Sequence, residues 1–149
     1  MPNTYTSLFY HVVFSVKNRR PLISLDLKKQ LYPYICGIAK KNGFYILNVN
    51  GTDDHIHILL SLKPTIQLSK AIQLVKGGSS KWIHENFPEL KIFLWQEGYG
   101  AFTVSMSQID IIKNYIDKQE QHHRKIDLKQ EYRSLLIKNN VDFDKKYLF

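Results

Sequence analysis

The order in which two hydrophobic periodicities follow one another constrains this chain more than any single residue. Leu8 to Val16, LFYHVVFSV, is rich in β-branched and aromatic residues and predicts a strand, closed by the polar run Lys17-Asn18-Arg19-Arg20-Pro21. From Asp26 to Lys41 the period becomes helical, with Leu27, Leu31, Tyr34, Ile35 and Ile38 on one side, lysines on the other, and Asn42-Gly43 as a left-handed stop. Phe44 to Val49 and His55 to Leu62 predict an antiparallel hairpin around the turn signal Asn50-Gly51. Pro64-Thr65 opens a second helix over Ile66 to Asn86, in which Gly77-Gly78 costs about 1 kcal/mol per glycine relative to alanine. Tyr99 to Ser105 predicts a fourth strand. Ser107, with Asp110 three positions on, predicts the N-cap of a helix running to about His123.

Strand, helix, strand, strand, helix, strand, helix is a split β-α-β unit with one added helix. It predicts an α+β fold: a ferredoxin-like, RRM-like antiparallel four-stranded sheet with helices on one face and an extra C-terminal helix bearing Tyr115. Residues 1–125 are expected to form this domain. Residues 126–149 form a charged C-terminal extension punctuated by Tyr132, Phe143, Tyr147 and Phe149; packing back onto the domain and exchange with a partner subunit are both open.

Composition narrows the setting. The chain's 149 residues suit one domain, and the single cysteine, Cys36, excludes an internal disulfide and a Cys-x-x-Cys zinc site, so a reducing, cytoplasmic environment is expected. No apolar run approaches the roughly 18 residues a membrane span needs, and MPNTYTSLFYHVVF lacks the features of a leader. A net charge of +8 and a pI near 9.5 favour a polyanionic partner, nucleic acid above all. Lys17, Arg19 and Arg20 in the first loop, and His122, His123 and Arg124 at the end of the last helix, are the candidates for phosphate contact; surface solvation is the competing account. Trp95 and Tyr99 are candidate base-stacking residues, whereas Phe102 reads as core and His11 and His84 as structural.

Within DDHIHILL, residues 53–60, alternation puts His55 and His57 on one face of a strand and Ile56 and Ile58 on the other. Two imidazoles sharing a face can ligate a divalent metal or simply meet solvent. Some sixty residues later, Tyr115 stands beside the apolar stripe Ile109, Ile112, Ile116, with Gln119 one helical turn further on. A tyrosine hydroxyl is a poor nucleophile at its usual pKa near 10, but it can attack a phosphodiester whose charge a metal withdraws.

His55-Ile56-His57 resembles the HUH motif, in which a hydrophobic residue separates two metal-binding histidines. Together with Trp95 to Ser105, WQEGYGAFTVS, and Tyr115-Ile116-x-x-Gln119-x-x-His122-His123, it resembles the single-tyrosine transposases of the IS200 type, from Tyr5 to about Lys125. That resemblance implies a homodimeric enzyme, with composite active sites an open possibility, that binds hairpins at the ends of a mobile element and cuts single-stranded DNA. It implies Tyr115 as the nucleophile forming a 5′-phosphotyrosine link, and His55, His57 and Gln119 as ligands of Mg2+ or Mn2+. DNA phosphate would complete the shell, so metal affinity without DNA is expected to be weak. A non-cleaving module that grips hairpin or single-stranded nucleic acid, and a domesticated relative acting on repeated palindromes, are the alternatives.

Overall fold

The computed structural model describes residues 3–144, 146 and 148; Tyr147 and Phe149 of the expected aromatic punctuation lie outside the described residues. Four strands, β1 (Phe9–Ser15), β2 (Tyr45–Gly51), β3 (His55–Ser61) and β4 (Gly100–Val104), form one antiparallel sheet in the order β2-β3-β1-β4. Helices α1 (Leu25–Lys41) and α2 (Leu68–Asn86) make the two crossovers. This is the ferredoxin-like order the sequence predicts.

Both crossover helices pack on one face. Leu27, Leu31, Ile35 and Ala39 of α1 and Ala71, Ile72, Val75 and Ile83 of α2 meet Val12, Phe14, Ile56, Ile58 and Leu60 of the central strands, all buried. Ser24 caps α1 by accepting the Leu27 N–H at 3.1 Å. The glycine pair expected to weaken α2 sits within an unbroken helix. A Cβ on Gly78 would come within 2.9 Å of Ile38 Cδ1, so the missing side chain lets α1 and α2 approach closely. Trp95, with its ring edge-on to Phe14 and Phe93 and its Nε1 donating to Ser79 Oγ at 2.9 Å, belongs to this core and is not presented to a base.

The opposite face is covered too. After β4 a 3-10 turn, Met106–Gln108, leads into α3 (Ile109–Asp117), α4 (Gln119–His122) and α5 (Leu128–Lys138). Val13 and Phe102 meet Leu128, Tyr132, Leu136 and Leu148, while Leu59 and Val104 meet Ile109 and Ile116. The C-terminal extension therefore packs back on its own domain. It is nucleated by a capping box, in which Asp127 accepts from Gln130 N and the Gln130 side chain accepts from Asp127 N.

Two local expectations change. Ser107 is not the N-cap of the tyrosine helix: it sits in the 3-10 turn with its hydroxyl 3.1 Å from that of Ser105, and α3 starts after Gln108. Asn50-Gly51 is not the hairpin turn either, because β2 continues to Gly51 and residues 52–54 reverse the chain.

The extra length of β2 contains a bulge at Leu47: the register shifts between Ile46 and Asn48, so Leu47 and Asn48 both address the second face. Ile46 and Val49 stay with the first core, and Asn50 turns toward α3. A one-residue irregularity thus flips the following alternation and brings two asparagines under the tyrosine helix.

Gly51 closes this hairpin. A Cβ there would clash with the carbonyl oxygen of His55 and lie 2.8 Å from Ile56 Cα, both backbone atoms that cannot swing aside. Gly51→Ala is expected to destabilise the protein by about 1–3 kcal/mol, the usual cost of overpacking, seen as a lower thermal midpoint; an unchanged midpoint would mean the hairpin end tolerates the shift.

Candidate metal and tyrosine centre

The second face of β3 carries His55, His57 and Leu59, and both histidines are wholly buried. Above them, Asn48 Nδ2 donates to the Lys113 carbonyl at 3.2 Å and to Asp117 Oδ1 at 2.9 Å. Asn50 Nδ2 donates to the carbonyls of Ile116 at 2.9 Å and Asp117 at 3.2 Å. These bonds fix α3 against the sheet and bring Tyr115 over the histidines, with ring centroids 5.8 Å from His57 and 5.9 Å from His11.

The helix expected to run to His123 breaks at Lys118, whose φ of −96° and ψ of 17° leave the helical range. Beyond the break, Gln119 turns fully inward, with Oε1 3.2 Å from His55 Nε2. Lys28 clamps the new turn by donating to the Gly51 carbonyl and to Glu120 Oε1, both at 2.9 Å.

Glu131 stands at the meeting point, and the sequence reading missed it. Its Oε1 lies 2.8 Å from His123 Nε2, 3.0 Å from His57 Nε2 and 3.4 Å from His55 Nε2. Its Oε2 accepts from Gln119 Nε2 at 3.0 Å and from the Tyr115 hydroxyl. Glu131 precedes Tyr132 in the stripe Leu128, Tyr132, Leu136, so a carboxylate at the edge of an apolar stripe behind a capping box was the signal available.

His123 departs from its expected DNA-facing role, since its ring packs 4.4 Å from that of His55 and it joins this cluster. His122 Nε2 lies 3.5 Å from both the Tyr115 hydroxyl and Glu131 Oε2. Arg124, Lys17 and Arg20 are exposed and Arg19 partly so. The loop that holds Lys17, Arg19 and Arg20 leaves β1 beside His55, with Val16 N donating to the Asp54 carbonyl at 2.8 Å.

His55, His57, His123 and Glu131 offer four ligand atoms within 4.8 Å of one another, a group that could hold a metal ion. The surroundings suit that use. His55 Nδ1 is 2.7 Å from Asp54 Oδ1, leaving Nε2 for an ion, and His57 Nδ1 is 2.8 Å from His11 Nε2. Metal-ligating histidines are commonly oriented through their second nitrogen in this way. His11, read from sequence as merely structural, orients His57.

Burial and neighbouring charges both act at each group. Burial would depress His55, but hydrogen bonds and charge from Asp54 and Glu131 outweigh it and hold its pKa up at about 9. For His57 burial prevails over Glu131, and its pKa falls to about 4. His11, buried and beside His57, falls to about 3. Burial would raise Glu131, yet the hydrogen bonds of His123, His55 and His57 keep its carboxyl far below the usual range. Burial, then the charge and hydrogen bond of Glu131, push the Tyr115 hydroxyl well above an ordinary phenol. Cavities open on both sides. One of about 360 Å³ is lined by His11, Phe102, Ile112, Tyr115 and Glu131, and one of about 510 Å³ by Lys28, Asp54, His123 and Arg124.

The sequence matches the family described as "Transposase IS200 like" over residues 4–119. The chain belongs to the IS200-like transposase family. It is 29% identical over 117 residues to the ISDra2 transposase TnpA of Deinococcus radiodurans, covering 75% of this chain and 84% of that one. It is 30% identical over 115 residues to the transposase for insertion sequence element IS200 of Salmonella typhimurium, covering 74% and 75%. Its fold resembles a crystal structure of a D. radiodurans protein described as a transposase, with a TM-score of 0.67, 25% identity, and 80% and 95% of the two chains covered. It also resembles a REP-associated tyrosine transposase bound to a REP hairpin, with a TM-score of 0.62 at 17% identity, over 83% of this chain and 73% of that one.

This transposase is therefore a DNA transposase of a metal-dependent, tyrosine-using class. Among the described residues no helix is long and apolar enough to cross a membrane.

Two outcomes test the centre. Asp54→Asn, which removes the charge orienting His55, is expected to weaken Mn2+ binding about ten- to a hundredfold, measured by calorimetry. In metal-free protein, His55 stabilises fully below pH 6.5 and loses its contribution as pH rises through about 9, whereas His57 stabilises above 6.5 and loses its contribution as pH falls toward about 4. The thermal midpoint should therefore peak near pH 6.5, and Asp54→Asn should flatten the alkaline limb; a midpoint rising steadily to pH 9 would contradict the His55 assignment.

Proposed function

We propose that this transposase cuts and rejoins single-stranded DNA at hairpin-bearing ends of an insertion sequence, with Tyr115 as nucleophile and His55, His57 and Gln119 holding Mg2+ or Mn2+. The observation that carries this reading is the convergence of the Tyr115 hydroxyl and the two buried histidines on one carboxylate, Glu131. Nucleophile and metal ligands are thereby held close enough to act on one phosphate.

The covalent step balances simply. Tyr115 Oη forms a bond to phosphorus as the P–O3′ bond breaks; the tyrosine proton is lost and the departing oxygen gains one, leaving a 3′-hydroxyl and a 5′-phosphotyrosine. Because one phosphodiester replaces another, attack by a 3′-hydroxyl reverses the step and rejoins DNA. A divalent ion at the histidines would withdraw charge from the phosphate oxygens.

Gln119 supplies a neutral oxygen just past the helix break that follows the nucleophile. His11 and Asp54 hold the two imidazoles in orientation. Lys17, Arg19, Arg20 and Arg124 are the groups we assign to the DNA backbone, since the basic first loop leaves the sheet at the His55 end. His122, bracketing the tyrosine, is assigned to the scissile region. Two chains would serve the two element ends as a homodimer, and the unpaired Cys36 suits a cytoplasmic setting.

Wild-type protein, single-stranded DNA from an element flank and Mn2+ should yield a covalent protein–DNA adduct on denaturing gels. Tyr115→Phe should yield none while still shifting the hairpin. An adduct from the phenylalanine variant would sink the nucleophile assignment, and hairpin binding without any wild-type adduct would favour a non-cleaving module. Lys17→Ala with Arg20→Ala should weaken binding across sequences and flatten the salt dependence by about 0.7 to 0.9 per lost phosphate contact.

A further inference from the structure

We propose that Glu131 is a displaceable ligand of the divalent centre: it completes the ligand set from within the chain when DNA is absent and yields its place to the scissile phosphate when DNA enters. This rests on the reading of His55 and His57 as metal ligands. It adds a residue from α5, a helix beyond the segment 4–119 that matches the family.

The donor geometry fits an ion. Ligand atoms on a shell of about 2.1 Å radius stand about 3 to 4 Å apart, and Glu131 Oε1 lies 2.8 to 3.4 Å from the three histidine nitrogens. Charge argues the same way. A carboxylate with no exposed surface is costly to bury unless its charge is matched. A divalent cation among the same nitrogens would match it.

The second oxygen argues for displacement. A phosphate undergoing attack must touch both the metal centre and the tyrosine oxygen. Glu131 already spans those two points, with Oε1 among the histidines and Oε2 receiving Tyr115. Carboxylate and phosphate cannot occupy that position together. Gln119 Oε1, 3.2 Å from His55 Nε2, stands ready to stay with the centre when Glu131 leaves. The consequence reverses the expectation of weak metal binding without DNA, and a set of three nitrogens favours Mn2+ over Mg2+.

The test titrates Mn2+ into full-length Tyr115→Phe protein, so that no DNA is cut, with and without E131Q, and with and without single-stranded flank DNA. Without DNA, E131Q should bind Mn2+ at least about ten-fold more weakly, the cost of losing even an outer-shell partner. With DNA the deficit should vanish, and amides of α5 should exchange faster with deuterium than in the DNA-free protein. Equal DNA-free affinities would overturn the proposal, as would a deficit that persists undiminished with DNA. If E131Q does not fold, Glu131→Asp, which keeps the charge on a shorter arm, should show the same DNA-dependent deficit. A parallel His57→Ala titration separates the failures: weakened binding there with normal binding in E131Q overturns only the role of Glu131, whereas normal binding in both overturns the metal centre itself.

Discussion

The carboxylate of Glu131 is the interaction on which the second face of the molecule depends. An isolated buried carboxylate would cost several kcal/mol, and the cost is offset by contacts with four histidines, a glutamine and the tyrosine hydroxyl. Those partners come from β3, α3 and α4, together with the turn that follows α4, so satisfying one charge draws three elements and α5 into register. The apolar contacts of Leu128, Tyr132 and Leu136 place α5 on the sheet; the polar ones determine how it is rotated.

The sheet keeps two kinds of burial apart. Its first face is a close-packed apolar core with α1 and α2, and it gives the strands a rigid backing. Its second face buries imidazoles beside aliphatic side chains, and those of His11, His55 and His57 are each held by a partner. Functional side chains on β3 gain precision because the alternate residues, Ile56 and Ile58, are locked into the opposite core.

Much of this could be read from the chain. The two periodicities gave the strand and helix order, and the identical facing of His55 and His57 follows from alternation alone. Tyr115 and Gln119 lie near the histidines of the same chain. What could not be read were features set by three-dimensional closure: the bulge at Leu47, which changes which β2 residues face α3, and the break at Lys118, which turns Gln119 and His123 inward. Glu131 was hidden for a different reason. In a charged C-terminal segment one more carboxylate looks like a solvated surface residue, and only the docking of α5 makes it buried.

The attachment of α3 has a consequence for how this chain can vary. Asn48 and Asn50 hold the helix largely through main-chain carbonyls of residues 113, 116 and 117. A grip on carbonyls is indifferent to which side chains the helix carries at those positions. The exposed surface of α3, including Ile111 and Asn114, is therefore free to drift toward different DNA ends or partners without moving the tyrosine.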